Sequence, residues 1–316
     1  MKLFINCSFQ TLLKTATDCC QTDRKTSARQ PLGNIMDVGR WMPANRLKLN
    51  TDKTELLRTG SRHRISQLDG YGPSIQLGAD TVQACDHVWL LGVIISADWS
   101  LDRHVAVVSS ASFYWLRQLR RVRRSLDDES AAILVHAFVT SSFDYCNLLL
   151  AGAPKSVTDK LQRVMNAAAR VVSGTKKYDR GLTHLLHSEL LWLDVPDRVT
   201  YRLGVTVYKC LHDQAPDYLS ELCTLVAQVA ERQHLRSTSR HLLVVPRFQL
   251  EFCMQVWRIN SSSSSSTYGR RTFAVTGPTT WNLFRNNLRE PYMQIDRFRR
   301  TLKTFLFEQY AAHRAH

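Results

Sequence analysis

One helical stripe limits this chain more than any other feature. Val105, Val108, Ser112, Trp115, Leu119, Val122 and Leu126 recur at alternating spacings of three and four, the period that lays one row along an α-helix. At 100° per residue, Arg117, Arg120, Arg121 and Arg124 fall within an arc of roughly 100° on the opposite side. The spacing therefore predicts a helix with a core face, which includes Trp115, and a guanidinium face. Helical signals continue beyond it. Ser125 and Asp128 have capping-box spacing ahead of SAAILVHAFVTSSFDYC, with Gly152 and Pro154 as the stop. Ser156 and Asp159 repeat that spacing before a third helix that turns Val157, Leu161, Val164, Ala168 and Val171 inward. Gly174 suits its C-terminal end. Pro196 opens a fourth helix, with Val199, Leu203, Val207 and Leu211 inward. Residues 99–215 thus read as a helical bundle.

The flanking segments have a different texture. Residues 1–37 are weakly patterned and are expected to be poorly ordered. Across 38–98 short apolar runs alternate with Gly, Pro and polar residues, which suits strands. ELL after Thr54, SIQLG and the almost wholly apolar ACDHVWLLGVIIS are the strand candidates, and Gly78, Ala79 and Asp80 suit a hairpin. Residues 216–316 are expected to be less ordered, with a flexible insertion at 251–266 around the serine run Ser261–Ser266 and a short strand at Thr272–Val275. Near the end, Phe298, Leu302, Phe305 and Leu306 return to helical spacing, with Arg297, Arg299, Arg300 and Lys303 around them. The fold class is α+β: a small β-containing segment, then a mainly helical region.

The chain carries a formal net charge of +15. An excess of that size favours a polyanion, nucleic acid above all, and names a partner class without sequence specificity. The eight cysteines are scattered, without CxxC pairs or zinc-knuckle spacing. No apolar run approaches the ~18 residues of a membrane span, and the N-terminus is too polar for a secretory signal. A cytoplasmic or nuclear protein without membrane partners is expected.

Several ordered segments resemble one family. WMPANRLKLNTDKTELLRTGS resembles the motif D region of LINE-type, non-LTR retrotransposon reverse transcriptases. LLGVIISADWSLDRHV resembles their primer-grip hairpin and its lead into the thumb. SSASFYWLRQLRRVRRSL and FVTSSFDYCNLLLAGAPKSVTDKLQRVMNAAARVVSGTKKYDRG resemble the thumb and the region after it. LLWLDVPDRVTYRLGVTVYKCLHDQAPDYL, YGRRTFAVTGPTTWNLFRNNLREP and FRRTLKTFLF resemble the C-terminal part. The resemblance covers most of 38–310 and implies a palm remnant at 38–98, a thumb-like bundle at 99–215 and a C-terminal region at 216–316.

Where the chain departs from that pattern, chemistry is lost. In the family a two-aspartate motif precedes this region, and MKLFINCS resembles the segment immediately after those aspartates. A further metal-binding carboxylate lies upstream. Residues 9–35 match poorly, and 251–266 reads as an insertion. Nucleotidyl transfer needs two Mg²⁺ ions held about 4 Å apart by converging carboxylates, in near-octahedral oxygen coordination. The adjacent pair Asp127–Asp128 sits between two helices, where capping is its expected role. The chain as written is therefore expected to be no enzyme, with no cofactor of its own and no metal ligands. The alternatives are a fragment of an active RNA-directed DNA polymerase, and a decayed reading frame without function.

The resemblance places Lys53 at the motif D lysine, against a solvated turn lysine as the plain reading. It places Leu91, Gly92 and Val93 at the primer grip, against a buried strand with a glycine bulge. Arg117, Arg120, Arg121 and Arg124 are the main candidates for phosphate contact, because guanidinium forks match phosphate oxygens. Lys160, Arg163, Lys176 and Lys177 extend the candidate surface. The expected partner is RNA or an RNA–DNA hybrid, bound without sequence specificity. His184 and His187 are three apart but lack a third ligand in sequence, so no metal site is expected.

Overall fold

The structure is a computed structural model. It describes residues 2–4, 45–46, 54–57, 74–77, 80–176, 178–229, 240–246 and 271–314. Two compact units emerge, one formed by 1–104 with 248–266, the other by 105–247 with 267–316. The described part is mostly helical with a few short strands, consistent with an α+β class. Among the described residues no helix is long and apolar enough to cross a membrane.

The first unit holds the strands. β1 (Lys2–Phe4) pairs antiparallel with β2 (Glu55–Leu57), placing Leu3 opposite Leu56. β3 (Ile75–Leu77) and β4 (Asp80–Val82) pair antiparallel with Leu77 opposite Asp80, so Asp80, expected in a hairpin turn, lies in a strand, while Gly78 and Ala79 lie outside the described residues. β5 (Ala84–Cys85) lies parallel to β2 on its other side, which makes β2 the central strand; Leu56 and Leu57, on opposite faces of it, are both fully buried. The poorly ordered segment expected over 1–37 falls, apart from Lys2–Phe4, outside the described residues, as does the insertion at 251–266.

The apolar run ACDHVWLLGVIIS is not one strand. β6 (His87–Leu90) and β7 (Val93–Ser96) pair antiparallel with Leu90 opposite Val93. Leu91 and Gly92 form the two-residue turn between them, both at positive φ, +48° and +80°. A two-residue turn with both central residues left-handed matches the twist of a hairpin. Hydrophobicity alone could not reveal the reversal, since the turn residue Leu91 is itself apolar. Val88, Val93 and Ile94 are buried while Trp89 points to solvent.

The second unit is a helical bundle. α1 (Asp102–Val122) buries Val105, Ser112, Leu116 and Leu119. α2 (Asp128–Val135) runs through a π turn, His136–Thr140, into Ser141–Asp144. Its N-cap is Asp127, whose carboxylate accepts the Ser130 N–H at 2.6 Å; the expected cap at Ser125 is two residues too early. α3 (Lys155–Ser173) begins after Pro154 and has no side-chain cap, so the Ser156–Asp159 spacing does no capping. Its inward row, Val157, Leu161, Val164, Ala168 and Val171, is buried as the periodicity requires. Met165, Ala169 and Val172 add a second row. Gly174 ends it at φ +71°. α4 (Val195–Leu211) has Pro196 in its first turn and buries Val199, Leu203 and Val207, with Leu211 only half-buried.

The C-terminal region contributes to this bundle. α5 (Phe273–Leu283) starts where the sequence predicts a strand, at Thr272–Val275; Thr272 is its N-cap. α6 (Ile295–Arg314) brings Phe298, Leu302 and Leu306 against Val207 and Tyr208 of α4 and Trp281 of α5. Phe298 stacks on Tyr208 with ring centroids 4.6 Å apart. Gly204 of α4 marks the closest approach: a Cβ there would lie 2.8 Å from the Phe284 ring and 3.0 Å from Leu302. Aromatic area of this size supplies much of a core's burial energy, so α5 and α6 are structural partners of α4.

Candidate nucleic-acid interface

The candidate cations of α1 flank its buried stripe, with Arg120 only 40° from buried Leu116 in helical phase and Arg117 and Arg121 further round. Arg117, Arg120 and Arg121 lie in the last two turns of the helix and are exposed. Arg124 is exposed as well, but it belongs to the adjoining 3₁₀ turn Arg123–Ser125, so helical phase does not extend to it. Arg121 reaches Gln118 at 3.5 Å. None of the four pairs with a carboxylate among the described residues. Cations at a helix C-terminus also meet the negative end of its macrodipole, a structural benefit that needs no ligand.

Arg123 shows what a structural arginine looks like in the same run. Its Nε donates to the Val171 carbonyl at 2.7 Å, and one terminal nitrogen donates to the Leu126 carbonyl at 2.7 Å. The other donates to the Val172 carbonyl at 2.6 Å and to the Asp128 carboxylate. The Val171 and Val172 carbonyls belong to the last turn of α3, where no helical N–H is available to them. Helical phase already separates the two, since Arg123 falls in line with buried Val105 and Arg124 lies 100° away; what phase does not give is the partner, the end of α3.

This contact also brings the C-terminal ends of α1 and α3 together. Arg120, Arg121 and Arg124 lie within three residues of Arg123, and exposed Lys176 comes just after the end of α3. Lys160, half-buried, and Arg163, exposed with its Nε on the Asp159 carbonyl at 3.3 Å, lie earlier on α3. At 1.5 Å per residue they are about 12–17 Å before Val171 along the helix axis. Lys177 and Lys53 lie outside the described residues. Leu91 and Gly92 are at the exposed hairpin tip in the first unit and Val93 is buried beside it, so the glycine serves a turn, not a bulge.

Trp115 corrects the expected core face of α1. It is 38% exposed, and Val122 is 49% exposed. Leu116, only 20° from Val105 in helical phase, takes the inward position, whereas Trp115 is 80° away on the other side. The indole stacks instead on Phe138 from the π turn, with centroids 4.7 Å apart and planes at 26°.

The adjacent carboxylates do not suit a two-metal centre. Asp127 is committed to the N-terminus of α2, and the Ser130 backbone hydrogen bond holds its carboxyl below the usual range. Asp128 receives the Arg123 guanidinium. Among the described residues no group of three or more His, Cys, Asp or Glu side chains is placed to hold a metal ion.

A second polar cluster has no counterpart in the sequence reading. His187 is buried, its Nδ1 bonded to the Trp192 carbonyl at 2.9 Å and its Nε2 3.6 Å from the Asp194 carboxylate. Tyr310 of α6 stacks on its ring at 3.8 Å. The Tyr310 hydroxyl donates to the Asp197 carboxylate and accepts the Asp194 N–H at 2.9 Å. Gln162 of α3 completes the cluster, donating to Asp194 at 2.8 Å and accepting the Val195 N–H at 2.9 Å. Burial raises the Asp197 carboxyl, against the opposing hydrogen bond from Tyr310; burial also raises the Tyr310 phenol. His184, three residues before His187, is exposed and faces Glu189 instead, at 3.4 Å. Tyr310 is over a hundred residues from its partners, and no local spacing signals that encounter.

No protein-family model, curated protein or solved structure matches the chain.

Proposed function

We propose that this chain is a non-catalytic relative of the C-terminal part of a LINE-type reverse transcriptase, which binds RNA or an RNA–DNA hybrid without sequence specificity. In this reading β6–β7 is the primer-grip-like hairpin of a palm remnant, and the bundle from α1 onward is thumb-like. Its place is the cytoplasm or nucleus, where its polyanionic partner is found. The observation that supports binding most directly is the set of exposed arginines 117, 120, 121 and 124, none paired with a carboxylate among the described residues. The commitment of Asp127 and Asp128 to helix capping and to Arg123 supports the absence of polymerase chemistry.

The test is equilibrium binding of a labelled RNA–DNA hybrid at salt concentrations from about 50 to 200 mM, a range over which phosphate contacts weaken steeply. Each neutralised phosphate adds roughly 0.7–0.9 to the logarithmic salt slope, so changing all four arginines to glutamine should lower that slope by about three. Unchanged slope in the quadruple variant, or primer extension by the purified chain, would overturn this reading.

A further inference from the structure

A groove of about 520 Å³ opens beside the polar cluster, lined by His187, Ser188 and Leu191 on one side and by Arg300, Lys303 and Phe307 of α6 on the other. Its volume falls in the range of small-molecule sites. Positions 300, 303 and 307 share one face of α6 by helical spacing. Arg300 and Lys303 are both exposed, and neither pairs with a carboxylate among the described residues. Two other cations of the region are committed: Arg299 faces Asp296 and Arg285 faces Glu308. Lys303 lies 5.7 Å from the centre of the Phe307 ring, placing its charge over an aromatic surface.

The groove is rigidly backed. Behind it His187 is stacked on Tyr310 and tied to the Trp192 carbonyl, and Tyr310 is held by Asp194 and Asp197. On the rim, Leu191 is 55% exposed and sits at φ +51°. A branched apolar residue in that conformation is strained, and persists where its surroundings over-determine it. Here the Trp192 N–H bonded to Leu186 at 2.8 Å closes the loop around it.

We infer that this groove takes a nucleotide unit, its phosphate on Arg300 and Lys303 and its base against the apolar wall of Leu191 and Phe307. A simple anion would use the cations but leave the apolar wall in water. An apolar ligand would leave both cations without an anionic partner, since among the described residues the Arg300 side chain bonds only to the Asp296 carbonyl, at 3.3 Å, and Lys303 faces only the Phe307 ring. A nucleotide satisfies both halves. As a binding site for a strand, the groove extends the nucleic-acid reading above and rests on it; as a site for a free mononucleotide it stands without it.

The experiment uses the full chain with a 4-thiouridine-containing oligouridylate, mapping crosslinked peptides and measuring affinity against salt. Four proteins are compared with the parent: Arg300→Gln with Lys303→Gln, Ser188→Glu, the α1 quadruple variant, and a charge-matched control, Lys155→Gln with Arg297→Gln. All the groove substitutions are at exposed positions, and thermal melts confirm folding. Crosslinks within 185–191 or 300–310 are expected, lost in the first two variants and kept in the α1 variant. The first variant should lower the salt slope by roughly 1.4, at about 0.7 per single-strand phosphate contact, and more than the control does. If the parent fails to bind the strand, the nucleic-acid reading fails. Uridine monophosphate titration then decides the groove alone: binding that the first two variants abolish upholds it. No nucleotide binding, or variants indistinguishable from the control with no groove crosslink, would overturn it.

Discussion

Neighbouring arginines 123 and 124 should behave oppositely, and the reason lies at the end of α3. Arg123→Met keeps most of the aliphatic stem and removes the guanidinium. Three carbonyl contacts at 2.6–2.7 Å are lost, two of them to the last turn of α3. A net hydrogen bond to a charged donor contributes roughly 1.5–3 kcal/mol. The full sum is not expected, because the Arg123 side chain is 19% exposed and water can reach part of the vacated site. The Asp128 contact adds little, about 0–1 kcal/mol, since that carboxylate is largely in solvent. The expected loss is about 2–4 kcal/mol, or a melting temperature lower by roughly 4–16 °C for a unit of this size. Arg124→Met removes an exposed guanidinium with no described partner and should stay within about 0.5 kcal/mol of the parent. Urea unfolding monitored by circular dichroism at 222 nm separates the two. Equal stability in both variants would show that the carbonyl contacts of Arg123 do not hold the ends of α1 and α3 together.

The same bundle supports two more tests. Gly204→Ala should gain about 1 kcal/mol of helix propensity, yet overpacking costs about 1–3 kcal/mol. The buried Phe284 ring has nowhere to go, so a net loss near 1 kcal/mol is expected by denaturant unfolding; a stabilised variant would mean that the ring can yield. Asp197→Asn should test the burial of that carboxylate through its pH dependence. The folded-state pKa is raised, mainly by burial, so the parent is penalised above that pKa. It gains stability relative to the variant as pH falls through the folded value toward the unfolded one, about 3.9. Asn can still accept the Tyr310 hydrogen bond. The variant's advantage should therefore be full above the raised folded-state pKa and vanish below the unfolded value, and an advantage that does not change with pH would contradict this.

Local signals were enough for the elements whose own residues carry the period. α3 buries its expected row and α4 all of its own but Leu211, Gly174 stops α3 and Pro196 falls in the first turn of α4, because helix phase and breakers act within a few residues. The hairpin turn at Leu91–Gly92 was not legible from hydrophobicity, since a left-handed leucine leaves no mark in composition. The arginine surface was only partly legible: periodicity put 117, 120, 121 and 124 on one side and left 123 off it, but could not say that Arg123 bonds to the end of α3. Nor could it choose between Trp115 and Leu116, because the inward direction of α1 depends on what packs against it. The joining of α6 to α4, and with it the His187–Asp194–Tyr310 cluster and the groove beside it, was decided by tertiary structure alone. The residues of α6 are about ninety or more positions from these partners in the chain, and the preferences that shape each helix reach only a turn or two.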